Sequence, residues 1–357
     1  MKNELVIGKF HIPIPVFQGG MGVGVSLSRL AGAVAAAGGV GVISAAQIGF
    51  RDPDYLKNPL KCNLKALAEE IKKAKEIAKG GIVGVNIMVV TQGYDEYVKT
   101  AVEAGADILI SGAGLPMTLP KLAQGSNSAL IPVISSKSAA SVILKYWKKK
   151  YDRYPDALIV EGPKAGGHLG FRKEQLETIY ANGDKEDHFQ GEIKEIIGYL
   201  KEVEEQDKVT IPLIVAGGVF EGKDLAHYKE MGAAGVQLGS RFVTTVECDA
   251  APQYKQAYLD AKEEDIVLVD SPVGLPGRAI KNEFLKRVKQ GEKFMRGCKQ
   301  CIATCKPKES PYCIAEALIQ AVKGNVKEGL LFCGSNTYRL NKLESVKEIM
   351  EEFALWQ

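Results

Sequence analysis

Short apolar runs recur eight times within the first 240 residues, and a longer stretch with helical spacing follows most of them. The runs are residues 16–18, 40–44, 83–89, 108–110, 131–135, 157–160, 213–216 and 235–238. Most are apolar throughout rather than alternating, so they read as strands buried on both faces, as in a parallel sheet covered by helices. The stretches 27–37, 64–78, 94–104, 119–122, 138–149, 191–205 and 223–231 mostly carry apolar residues at i, i+3/i+4 spacing with charges opposite. Ala37-Gly38, Ala104-Gly105 and Met231-Gly232 suit left-handed caps that end three of these helices. A repeat of strand, glycine turn and helix fits an open doubly wound sheet or a closed barrel. Eight strands favour the α/β (β/α)8 TIM barrel.

The rhythm changes after Thr245. Residues 247–296 read as long charged helices interrupted by the Pro/Gly-rich loop SPVGLPGR at 271–278. An apolar helix is expected at 314–322 and an amphipathic one from Leu343. The expected organisation is a barrel over residues 1–248 and a mostly helical C-terminal appendage over 249–357 that packs back on it. With 46 Lys and Arg against 43 Asp and Glu, the formal net charge is +3 and gives no reason to expect a nucleic-acid partner. The basic run 145–150 reads as the wet face of a helix. No apolar run approaches the length of a membrane span, and the first ten residues lack a small-residue cleavage site, so a cytoplasmic protein without membrane contact is expected. A homo-oligomer is compatible with all of this.

Candidate chemistry gathers where strands hand over to loops. In EGPKAGGHLGF (161–171), a carboxylate, two adjacent glycines and an imidazole follow the run 157–160 within eight positions. Gly166 and Gly167 remove side-chain bulk, so backbone can lie against a flat ligand, and His168 is one of only four histidines. PLIVAGGVF (212–220) runs into Gly217-Gly218, and GVQLGSRF (235–242) into Gly239-Ser240. Two final strands ending in glycines would present several N–H groups on one patch, the usual place for a phosphate in such a barrel. PVFQGGMGVGVS (15–26) is a glycine-rich loop that no acidic residue follows at the end of the next run, which argues against a dinucleotide fingerprint. Asn86 interrupts an apolar strand and needs a hydrogen-bond partner, in the protein or in a ligand. Ser111 and Lys137 follow the fourth and fifth strands and are placed to point the same way, although a lysine in a first helical turn is commonly solvated.

These blocks, together with GAAGVQLGSRFVTTVECDA at 232–250, resemble the nitronate monooxygenase family, once called 2-nitropropane dioxygenases. The FMN-dependent enoyl-ACP reductases share the same motifs. The resemblance implies an FMN-binding barrel with a helical insertion. It implies that Gly217, Gly218, Gln237, Leu238, Gly239 and Ser240 hold the FMN phosphate. Met21, Gly22, Asn86 and Lys137 would lie along the isoalloxazine ring, Glu161 would bond the ribityl chain with Gly166 and Gly167 beside it, and His168 would be the active-site histidine. The implied reaction oxidises an alkyl nitronate with dioxygen to a carbonyl compound and nitrite. The alternatives are NAD(P)H-dependent reduction of an enoyl thioester, or a flavin- or metal-binding subunit of a larger reductase. Where the family carries a Gly-Gln-Ser type loop, this chain has FCGSNTYRL (332–340), which makes Asn336 a candidate.

Four of the seven cysteines, Cys298, Cys301, Cys305 and Cys313, fall within sixteen residues with spacing C-x2-C-x3-C-x7-C. In a reducing compartment such a cluster suits a metal or redox site better than a disulfide framework. The first three resemble those that bind a [4Fe–4S] cluster in flavin-dependent dienoyl reductases. Four thiolates suit iron–sulfur or zinc, and the bland alternative is a set of small buried hydrophobes.

Overall fold

All eight expected runs are barrel strands in the computed structural model, which describes residues 4–181, 187–295 and 297–357. A hairpin of β1 (Leu5–Ile7) and β2 (Phe10–Ile12) comes first. The barrel begins with β3 (Val16–Gln18), β4 (Val40–Ser44), β5 (Ile82–Met88) and β6 (Ile108–Gly112). It continues with β7 (Ala129–Ile134) and β8 (Leu158–Glu161). After β9 (Gly167–His168), which stands outside it, β10 (Leu213–Ala216) and β11 (Gly235–Leu238) complete it. Neighbours pair in parallel in chain order, and β11 closes on β3 through Val236↔Val16, Gln237↔Phe17 and Leu238↔Gln18.

The period of two along each strand separates two cores. Ile108 and Ile110 of β6 join Phe17, Val42, Ile131, Ile159 and Ile214 inside the barrel, while Leu109 packs outward with Val85, Leu130 and Val160. Both faces are dry, which is why the strands read as continuous apolar runs. Leu5, Ile7 and Ile12 of the hairpin belong to the interior set and plug the N-terminal end. Each such side chain contributes roughly 1.5–3 kcal/mol on burial.

The outer layer holds α1 (Ser28–Ala36), α2 (Pro59–Ala78), α3 (Tyr94–Glu103) and α4 (Leu119–Leu122). It continues with α5 (Lys137–Tyr151), α6 (Lys173–Ala181), α7 (Asp187–Asp207) and α8 (Gly222–Glu230). Local chemistry sets their ends. Asn58 accepts the Lys61 N–H ahead of Pro59 at the start of α2, and Ser136 accepts the Ala139 N–H at the start of α5. Gly38, Gly105 and Gly232 take φ of 90°, 80° and 103°, the left-handed stops expected at those positions. Helix α6 was not anticipated.

Beyond β11 lie α9 (Ser240–Val243), α10 (Pro252–Leu259), β12 (Ile266–Asp270), β13 (Pro276–Ile280), α11 (Glu283–Lys289), α12 (Ile314–Val322) and α13 (Val346–Ala354). The expectation of long charged helices across 247–296 is corrected here. IVLVD and PGRAI form a hairpin whose third strand is β9, so part of the appendage is a small antiparallel sheet. The charged flanks of these strands masked them, and their partner comes from a hundred residues upstream. Helix α13 buries Val346, Ile349, Met350 and Phe353 and packs on α1 and α8, so the chain returns to the barrel's outer layer after the appendage.

Candidate active site

The carboxyl ends of the barrel strands surround a cavity of about 280 Å³. It shares Ala113, Val133, Glu161 and His168 with a wider cleft of about 730 Å³ that is bounded by Arg172, Lys173, Asp270 and Ser271.

The glycine loop after β3 forms one wall. Buried Gln18 accepts the Val42 N–H through Oε1 (3.0 Å) and donates through Nε2 to Ser26 Oγ (2.8 Å), while Ser26 Oγ accepts the Met21 N–H (3.0 Å). These bonds hold Met21 and Gly22 on the cavity wall. A Cβ at Gly20 would stand 2.4 Å from Asn86 Cβ, and one at Gly22 would stand 2.7 Å from Ser44 Oγ. The loop therefore lies against β4 and β5 in a way only glycine allows. Asn86 sits on the inner face of β5, lines the cavity, and its carboxamide has no hydrogen-bond partner among the described residues.

Glu161 ends β8 and faces the cavity without a hydrogen bond or ion pair among the described residues. Burial alone pushes its carboxyl up to about 7. From there the chain passes Gly166, where a Cβ would stand 2.6 Å from the Cys333 carbonyl carbon, and Gly167 at φ 75°. His168 then pairs with Gly277 in β13, and the Leu169 N–H donates to the Pro276 carbonyl (2.8 Å). Buried Arg278 of β13 clamps the same loop by donating to the carbonyls of Pro163 (2.8 Å) and Ala165.

His168 stands where the deep cavity meets the outer cleft. Its Nε2 lies 2.7 Å from Ser271 Oγ, and its ring meets Phe332 edge-on with centroids 4.9 Å apart. Burial pulls the imidazole down to about 4, so it is neutral at neutral pH. Ser271 Oγ also accepts the Val273 N–H (3.4 Å), which holds the hydroxyl beside the imidazole.

The opposite wall is made by the turns after β10 and β11. Gly217 and Gly218 take φ of 95° and 96°, and the N–H groups of Gly217, Gly218 and Gly239 make no turn or loop hydrogen bond among the described residues. Gln237, Leu238 and Ser240 line the same wall. Ser240 Oγ accepts the Gly334 N–H (2.8 Å) and lies 3.0 Å from Thr337 Oγ1. Asn336 Nδ2 donates to the Gly218 carbonyl (2.6 Å), so the loop 332–340 covers this end.

Of the cavity candidates named from the sequence, all but Lys137 and Ser111 share one wall system. Lys137 does not: it is exposed at the start of α5, where its N–H donates to the Glu192 carboxylate, because the helix turns away after Ser136. Ser111 also departs from expectation, since it lies on the outward face of β6 and pairs with Tyr94 Oη (2.9 Å). Sequence reasoning missed Ser271 and Arg278 as partners of the histidine loop, although the segment holding them stood out as a Pro/Gly-rich loop. It also missed Lys164 and Phe332, which lie inside segments already marked out, and Tyr258, for which no local signal exists. Among the described residues no three His, Cys, Asp or Glu side chains converge on a single metal ion, yet Cys298, Cys301, Cys305 and Cys313 all line one small hollow of about 130 Å³.

The family model for nitronate monooxygenase matches residues 3–355. The chain belongs to the nitronate monooxygenase family. It is accordingly an enzyme of oxidoreductase type. A curated relative, a probable nitronate monooxygenase of Staphylococcus saprophyticus, is 26% identical over 317 residues, 80% of each chain. Among solved structures, FabK from Thermotoga maritima matches with a TM-score of 0.70 at 25% identity, covering 97% of this chain and 93% of that one. Nitroalkane oxidase from Streptomyces ansochromogenes shares the fold with a TM-score of 0.70 at 20% identity, covering 97% of both. No helix among the described residues of this family member is long and apolar enough to cross a membrane.

Proposed function

We propose that this nitronate monooxygenase family member is an FMN-dependent oxidoreductase that oxidises alkyl nitronates with dioxygen to a carbonyl compound and nitrite. The residues of the deep cavity fit FMN. Among the described residues Asn86 and Glu161 present unpartnered polar groups there, and the N–H groups of Gly217, Gly218 and Gly239 make no turn or loop hydrogen bond. Met21, Gly22 and Asn86 would flank the ring system, and Glu161 with Gly166 and Gly167 the ribityl chain. Gly217, Gly218, Gln237, Leu238, Gly239 and Ser240 would surround the phosphate. Bound there, the flavin would supply the electron acceptor and the site of reaction with dioxygen.

The chain's own contribution centres on His168, whose place at the mouth of the deep cavity carries this reading. Neutral at neutral pH, the ring keeps one basic lone pair, and the contact of Nε2 with Ser271 Oγ holds the imidazole in orientation. The neutral imidazole can take the α-proton of a neutral nitroalkane. An anionic nitronate raises the imidazole pKa by direct charge attraction, so the ring gains a proton and binds the nitro oxygens as imidazolium. Phe332 and the 332–340 loop keep water from the inner face of this pocket.

Nitrite release from a nitronate under air, dependent on bound FMN, is the direct test. The width of the outer cleft favours a second reading, NAD(P)H-dependent reduction of an enoyl thioester, because a nitronate needs far less room. NAD(P)H oxidation that requires an enoyl thioester, with no nitrite from nitronates, would replace the first reading by the second.

A further inference from the structure

The hollow between residues 298 and 313 lies outside the flavin cavity and is used by none of the chemistry above. Cys298, Cys301, Cys305 and Cys313 line it together with Ile302, Tyr312 and Ile314. Its loop is fastened to the segment after β5: the Gln92 N–H donates to the Cys301 carbonyl (3.1 Å) and the Ala303 N–H to the Val90 carbonyl (3.0 Å). The Cys313 N–H donates to the Phe294 carbonyl (3.0 Å), which fixes the fourth cysteine at the start of α12.

Two features mark the loop as shaped around sulfur. The Gln300 N–H donates to Cys298 Sγ at 3.4 Å, and Gln300 holds φ at 50°, a left-handed conformation uncommon outside glycine. The strained residue lies between the first two cysteines and brings both onto the hollow. Amide hydrogen bonds to cysteine sulfur also tune the potential of bound clusters.

The geometry selects among ligands. A single tetrahedral zinc ion draws its sulfurs to about 2.3 Å and leaves no space between them. Here all four cysteines line one common space of about 130 Å³, Cys301 and Cys313 buried and Cys305 half-buried. Thiols around a void rather than a point suit a polynuclear core in which each metal takes one cysteine. We propose that Cys298, Cys301, Cys305 and Cys313 bind a [4Fe–4S] cluster, one thiolate per iron, with four thiol protons released to solvent.

The site adjoins the flavin cavity. Met88, Leu318 and Phe332 line that cavity and also pack on the apolar cluster that contains Cys301 and Cys313. The same apolar cluster therefore borders both hollows. The proposal stands apart from the nitronate reading and survives its failure.

The test is metal analysis of the full chain purified under nitrogen, and again after incubation with ferric iron, sulfide and dithiothreitol. The expected result is about four iron and four acid-labile sulfide per chain, with a broad brown absorbance beyond the flavin bands that dithionite bleaches. C298S changes an exposed residue and C305S a half-buried one, so both should fold, and each should lower bound iron at least about twofold. C62S, at a buried cysteine far along the chain from the cluster, should keep the full content. Iron below about one per chain after loading would overturn the proposal. So would one zinc without sulfide, or disulfides among these four cysteines. Iron content unchanged in both C298S and C305S would overturn it as well.

Discussion

Replacing Glu161 by glutamine should make the flavin-free protein more stable while weakening its hold on the cofactor. The carboxyl faces the cavity without a partner among the described residues, and burial lifts its pKa from 4.5 to about 7. Between those two values the unfolded chain has already lost the proton that the folded chain keeps. Folding then takes up a proton, so stability falls as pH rises through this window. Below it both states are protonated and nothing is lost; above it the full penalty remains. At about 1.4 kcal/mol per pH unit the penalty reaches at most about 3 kcal/mol, an upper figure because water in the cavity screens the charge. Glutamine does not titrate. Urea denaturation of flavin-free protein should therefore show E161Q matching wild type near pH ~4 and exceeding it by up to ~3 kcal/mol near pH ~8. Added FMN should reverse the ranking. Ribityl hydroxyls that donate to the carboxylate favour its ionised form, so wild-type FMN affinity rises with pH up to about 7, whereas E161Q stays flat. A stability gap that does not change with pH would refute the reasoning, because it would mean that Glu161 titrates alike in the folded and unfolded chains.

H168A should cost about 10²–10⁴-fold in turnover while FMN stays bound, checked by steady-state assay and the flavin spectrum. The depressed imidazole pKa also predicts that flavin-free wild type loses stability as pH falls from 6.5 towards about 4, a loss absent in H168A by the same denaturation series. G22A places a Cβ 2.7 Å from Ser44 Oγ and 2.8 Å from Ala46 Cβ, so it should cost about 1–3 kcal/mol and lower FMN content on purification. R241M leaves buried Glu344 with only the exposed Lys342 ammonium (3.3 Å) and should lower stability by up to about 3–5 kcal/mol in urea melts.

Strand positions were legible because a parallel barrel strand is apolar on both faces, and a run such as residues 40–44 or 213–216 has no other plausible home. The glycine turns of the site were legible for a related reason, since backbone must approach closely there and side chains are excluded. What stayed hidden depends on long-range pairing. Ser271 and Arg278 reach the histidine loop only through β13 meeting β9, and nothing near either residue in sequence announces that pairing. Lys137 shows the converse error: its ordinal position after the fifth strand suggested the cavity, but the capped first turn of α5 carries it to the surface.

The place of α13 bears on how this chain can be cut. Barrel elements bracket the appendage on both sides, with β11 before it and α13 after it. Residues 346–354 therefore act as a stave of the cask rather than a trailing end. Deleting them would bare an oily seam along α1 and α8, and no single cleavage point frees the barrel from the segment after β11 with that seam still covered.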